Sequence, residues 1–132
     1  MWGTKTSALI FLNGFFILVQ CRLEPEARLQ AEKECVDQTK VDYNLVLEVM
    51  RTIKVPDDEK YKEYLNCFYL KQGFKNKAGE IQFDALKEVL MVDGEYDEHT
   101  ADKILYPCKK IAPPQLDDLP ALVLQCIFDN AP

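Results

Sequence analysis

The chain has 132 residues, a net charge of −6, one histidine, five cysteines and 48% hydrophobic residues. That length supports one domain. The acidic balance argues against nucleic acid and anionic membrane surfaces as partners.

Residues 1–21 read as a signal peptide. Lys5 supplies the positive start, and residues 8–19 are an apolar run containing Leu9, Ile10, Phe11, Leu12, Phe15, Phe16, Ile17 and Leu18. Val19-Gln20-Cys21 then fits the small, uncharged residues of a cleavage site. The run is shorter than the roughly 20 residues a bilayer span needs, and Arg22, Glu24 and Glu26 follow at once. Cleavage leaves a mature domain of residues 22–132, carries Cys21 away and takes the charge to −7 with the loss of Lys5. The predicted location is secreted and extracellular.

A domain this small buries roughly two-thirds of its unfolded surface, so covalent staples help it. Cys35, Cys67, Cys108 and Cys126 remain, an even number in an oxidising compartment. Four cysteines allow three pairings. No two of them have the close spacing of zinc ligands, and His99 lies elsewhere, so no metal is expected.

Apolar residues recur at helical spacing throughout, and no segment alternates as a strand does. A first helix is predicted over 25–39, with Pro25 at its first position and Ala27, Ala31, Cys35 and Thr39 along one line. A short second helix covers 43–51, capped by Asp42, with Leu45, Val46 and Val49 inward. Asp57 or Asp58 caps a third helix to about Gln72, striped by Tyr61, Tyr64, Leu65 and Phe68 and ended by Gly73. The fourth runs over 82–92, with Phe83, Leu86, Val89 and Leu90 inward. Asp97 or Glu98 opens a fifth, in which Pro107 enforces a kink or an early end. After Pro113-Pro114, Asp117-Asp118 caps a sixth helix carrying Leu119, Leu122, Val123, Cys126 and Ile127.

Three segments carry a family resemblance: Pro56-Asp57-Asp58-Glu59 leading into Tyr61-Lys62-Glu63-Tyr64-Leu65-Asn66-Cys67, then Gly79-Glu80-Ile81-Gln82-Phe83, then Leu122-Val123-Leu124-Gln125-Cys126. In these the mature chain resembles the insect odorant-binding proteins of the PBP/GOBP family. The family's usual six-cysteine pattern places its second and fifth cysteines at what are here Glu63 and Asp117. Those two pair with each other, so a whole bridge is missing and the other two stay intact, as in the four-cysteine Minus-C subgroup. The resemblance thus implies Cys35–Cys67 and Cys108–Cys126, an all-α fold of about six short helices around an apolar cavity, and a softer edge between the third and sixth helices. If the backbone keeps the family's geometry, Glu63 and Asp117 approach and repel each other. Otherwise both face water, Asp117 as a cap and Glu63 toward Lys60 or Lys62.

The function implied is a carrier that solubilises a small hydrophobic molecule, such as an odorant, a pheromone or another apolar semiochemical or lipid. The medium would be sensillum lymph, haemolymph or another secretion, and an olfactory receptor or a second copy of the chain would be a further partner. No cofactor is expected. Candidate cavity residues are Leu65, Phe68, Tyr69, Phe83, Leu86, Leu90, Leu105, Leu119, Leu122, Val123 and Ile127. Each fits an ordinary core position equally well. Tyr64, Tyr69 or Tyr106 would supply a hydroxyl to the ligand, and Phe128 would close the mouth.

The segment Asn76-Lys77-Ala78-Gly79-Glu80-Ile81 imitates a calcium loop, but Phe74 and Ala85 would then occupy the two positions that most need carboxylates. No nucleophile, base or metal constellation is present, so the chain does not read as an enzyme. The rival function is a secreted protein-interaction module with a solid core and no ligand cavity. The intact mass of the secreted protein is expected to begin at Arg22 and to show no free thiol among Cys35, Cys67, Cys108 and Cys126. An alkylated cysteine without prior reduction would contradict this.

Overall fold

A computed structural model describes residues 25–132, so the signal peptide expected over residues 1–21 lies outside the described residues. The described chain forms helices α1 (Pro25–Thr39), α2 (Tyr43–Thr52), α3 (Glu59–Gln72), α4 (Phe83–Val92), α5 (Glu98–Leu105) and α6 (Leu119–Asn130). Single 3₁₀ turns at Pro107–Lys110 and Leu116–Asp118 join α5 to α6.

Local chemistry sets these boundaries. Asp42, Asp58 and Asp97 each accept a backbone N–H of the first turn, from Asn44 at 2.9 Å, Tyr61 at 2.9 Å and Thr100 at 2.8 Å. Each cap satisfies a donor that a helix start leaves unpaired. Gly73 ends α3 in the left-handed region at φ 78°, where a residue without Cβ is unstrained, and its N–H reaches the Tyr69 and Leu70 carbonyls. Pro107 has no N–H and stops α5 at Leu105, leaving Cys108 on the following 3₁₀ turn.

Asp118 departs from its expected role. Its φ of −81° and ψ of −16° are helical, so its carboxylate does not cap α6. It turns instead to Lys62 on α3, at 3.3 Å.

Ile53 ends α2 at φ 54°, a conformation that a β-branched side chain resists. Gln125 of α6 holds this corner in place. Its Oε1 accepts the Val55 N–H at 2.8 Å, and its Nε2 donates to the Ile53 carbonyl at 3.3 Å. The strained turn thereby stays docked on α6.

Cys35 is bonded to Cys67 and Cys108 to Cys126. The first bridge ties α1 to α3, which lie along one another, and the second ties the turn after α5 to α6. Each closes a loop whose chain-entropy contribution is about 3–4 kcal/mol. Helix α4 lies on α5, and α6 lies against both α3 and α5. Lys87 strengthens the first of these pairs by reaching Glu98 at 2.9 Å and Asp102 at 3.0 Å.

The segment between α3 and α4 folds back on itself. Lys75 and Ile81 form an isolated antiparallel bridge, and Asn76 Oδ1 accepts the Glu80 N–H at 2.9 Å. Gly79 sits at φ 88° with the Leu116 side chain where a Cβ would be. Phe74 and Ala85 are buried, the reverse of what calcium ligands require.

No bridge joins α3 to the start of α6, and Glu63 does not face Asp117 in its place. Its carboxylate lies 3.6 Å from Lys60 in a solvent-exposed pair. The edge is closed by neighbouring residues. Lys62 reaches both Asp57 and Asp118, and Asn66 Nδ2 donates to the Lys62 carbonyl on its own helix and to the Asp117 carbonyl across the gap, at 2.9 and 2.8 Å. Lys75 in turn holds the Asn66 Oδ1. Asn66→Ala should therefore lower unfolding stability by about 1 kcal/mol in a denaturant titration, with faster amide exchange at the start of α6. An unchanged midpoint would show that the contact does not hold this edge.

Candidate functional site

The helices border a partly open cavity of about 540 Å³, within the range of small-molecule sites. Its main wall is α3. Tyr61, Tyr64, Leu65, Phe68 and Tyr69 recur at helical spacing and all line the space. Phe74, just past α3, extends this wall. The rings are tilted for Tyr61–Tyr64 and stacked for Tyr64–Phe68, both with centroids 5.9 Å apart, and edge-to-face for Tyr69–Phe74 at 5.5 Å. Leu86, Val89 and Leu90 of α4 and Leu124, Ile127 and Phe128 of α6 complete the apolar lining. Val46 and Met50 come from α2.

The charged lining residues are Arg28 and Glu32 of α1 and Asp93 after α4, with the apolar Leu29 beside Arg28 on α1, and Arg28 is paired with Asp93. Glu32 accepts the Tyr43 hydroxyl at 3.1 Å. Leu29 and Met50 are exposed beside these charges, which marks this as the mouth.

Six of the residues expected to line a cavity do so: Leu65, Phe68, Tyr69, Leu86, Leu90 and Ile127. Five lie off the wall. Leu105 and Val123 are 2% and 0% exposed and pack with Ile104 and Cys108 in a solid half of the interior. Phe83 lies under the Lys109 ammonium, and Leu119 is partly buried against the core. Leu122 is 39% exposed and faces a shallow outer groove with Val55, Pro56 and Gln125. Helix α5 contributes nothing to the cavity lining, because its inward residues are used up in packing on α4 and α6.

The α1 residues and Asp93 were not anticipated. The charged positions of α1 carry no signal of their own, and only the position of α1 over α3 turns them inward. Tyr61 and Phe74 did carry a signal, the helical stripe and its continuation. Of the proposed hydroxyl donors, Tyr64 and Tyr69 are on the wall, whereas Tyr106 is 61% exposed with Lys110 over its ring. Phe128 is on the wall and partly buried. His99 is exposed near the start of α5.

Burial pushes the Tyr61, Tyr64 and Tyr69 hydroxyls far above the ordinary tyrosine range, and the Glu32 charge adds to the effect at Tyr64. Among the described residues, none of these three hydroxyls has a hydrogen-bond partner. They are neutral donors facing an apolar space. Among the described residues, too, no three His, Cys, Asp or Glu side chains are grouped to hold a metal ion, and no helix is long and apolar enough to cross a membrane.

The family model of the PBP/GOBP family matches residues 24–130. The chain belongs to the PBP/GOBP family. Proteins of this family are secreted carriers of small hydrophobic molecules, not enzymes. No curated protein and no solved structure matches this PBP/GOBP chain at a significant level.

The buried tyrosines give this PBP/GOBP protein a defined alkaline response. Their folded-state pKa values are raised, so the unfolded chain releases protons that the fold retains. Stability is therefore fully present below about pH 10, the ordinary tyrosine value, and falls as pH rises beyond it. Phenolate absorbance from these three residues should appear only together with loss of helical circular dichroism. Their ionisation in the intact fold would contradict the burial described.

Proposed function

We propose that this chain is a secreted carrier of one small hydrophobic molecule, an odorant, a pheromone or another apolar semiochemical or lipid, held in the cavity between α1, α3, α4 and α6. One observation carries the reading: the α3 aromatic wall borders an apolar space of about 540 Å³ in a family of carriers. Transfer from water into such a space is favourable by about 0.8 kcal/mol per buried CH₂. The Tyr61, Tyr64 and Tyr69 hydroxyls, which have no hydrogen-bond partner among the described residues, add orientation for a ligand bearing one oxygen, such as an alcohol, aldehyde or ester.

The two-bridge pattern supports assignment to the four-cysteine Minus-C subgroup of insect odorant-binding proteins. The medium would then be sensillum lymph, haemolymph or another secretion, with an olfactory receptor or a second copy as partner. The rival reading, a solid-core interaction module, is disfavoured by the cavity itself.

Saturable binding of N-phenyl-1-naphthylamine by the delipidated protein, displaced by apolar compounds, is the expected result. Leu86→Trp fills the cavity and should weaken binding by about tenfold or more. Leu122→Ala lies outside the cavity and should leave binding unchanged. No binding by a folded wild-type protein would support the interaction module instead.

A further inference from the structure

The cavity's charges are all at its mouth, and they are unbalanced. Arg28 is the single cation among the lining residues, facing two anions, Glu32 and Asp93. Arg28 is committed to Asp93, across the gap from α1 to the end of α4. Its guanidinium is not paired with Glu32, one turn further along its own helix. Among the described residues Glu32 has no cation within ion-pair distance, and its contact is the neutral Tyr43 hydroxyl. Among the described residues the mouth thus carries one uncompensated negative charge, and the rest of the lining carries none.

We propose that this mouth selects against carboxylates, so that the ligand is a neutral, oxygen-bearing chain and not a fatty acid. This rests on the carrier reading above. An amphiphile can enter in two directions, and both disfavour an anion. Tail first, its carboxylate comes to rest beside Glu32 and finds Arg28 already neutralised. Head first, it must lose its water among Tyr61, Tyr64, Tyr69 and Phe68 with no cation in reach, and burying an unpaired charge is costly. Burial and the Glu32 charge, which push the Tyr64 hydroxyl up, act in the same sense on any negative charge at this wall. A neutral alcohol, aldehyde or ester avoids both penalties and can still engage a tyrosine hydroxyl. Asp93 is a specificity residue in this scheme because it keeps Arg28 from serving as a carboxylate seat.

The test is displacement of N-phenyl-1-naphthylamine near neutral pH by 1-dodecanol, methyl dodecanoate and dodecanoate, each below its aggregation limit. Dodecanoate should be the weakest, but part of that difference reflects its stronger hydration. The mouth's own share is isolated by Asp93→Asn, which frees Arg28, and by Glu32→Gln, which removes the uncompensated charge and leaves the Arg28–Asp93 pair in place. Each should shift the affinity ratio of dodecanoate to methyl dodecanoate toward dodecanoate by about tenfold, the size of one partly screened charge contact; the ratio cancels any change that a loosened tie between α1 and the end of α4 makes to all three compounds alike. Equal tightening of all three compounds, or no shift of that ratio in either folded variant, overturns the proposal. So does a wild-type protein that binds dodecanoate as tightly as its methyl ester. If the two neutral compounds fail to displace a bound probe, or the probe itself does not bind, the carrier reading falls first.

Discussion

Helix α3 gathers four aromatic rings along one side, and that side borders the cavity although Tyr61, Tyr64 and Tyr69 are themselves buried. Tyr61, Tyr64, Phe68 and Tyr69 are broad and stiff, with few rotamers, and their rings already pack on one another and edge-to-face on Phe74. Small proteins normally fill their interiors to crystal-like density. Here α1 is held along α3 by Cys35–Cys67 at one point and reaches across to Asp93 through Arg28 at another. Those two ties keep α1 over the aromatic face without letting it collapse onto that face. The space left between them is the cavity.

A hollow interior forfeits dispersion contacts along its lining, and the remainder of the domain is built to offset that loss. Ile104, Leu105, Cys108 and Val123 form a closely packed half in which each is almost fully buried. The Cys108–Cys126 bridge and the Lys87 pairs to Glu98 and Asp102 lie on that side. One half of the molecule therefore supplies rigidity, and the other half supplies room. The elements that would move to admit a ligand are α1 and the segment after α4, whose mutual tie beside the opening is a single ion pair.

The edge between α3 and the start of α6 shows how a fold holds together where no covalent link is present. Lys62 and Asn66 lie one turn apart on α3 and meet successive residues, Asp118 and Asp117. The ion pair is partly exposed and screened by solvent, so it contributes modestly. The amide bonds are directional and fix the register of the 3₁₀ turn ahead of α6. A polar join of this kind can break and re-form on a time scale that a disulfide cannot match, and it lies next to the groove bounded by Leu122 and Gln125.

Much was legible in the residues alone because it depends on neighbours in sequence. Asp42, Asp58 and Asp97 mark helix starts, Gly73 and Pro107 mark ends, and the periodicity of α3 and α4 marks their inward faces; each of these is a local hydrogen-bond or steric fact. The spacing of the cysteines left three pairings open, and a family resemblance, not geometry, pointed to one. What only the tertiary structure decided is which inward residues meet space and which meet one another. Leu65 and Leu105 are equally apolar and equally buried, yet one borders the cavity and the other is solid core. The difference lies in which helix crosses over each, and periodicity records the face a residue occupies but not what stands opposite. The same holds for Arg28, Glu32 and Asp93. Along the chain they are ordinary surface charges, and they become the mouth of a cavity only because α1 is laid across α3 and its far end meets the close of α4.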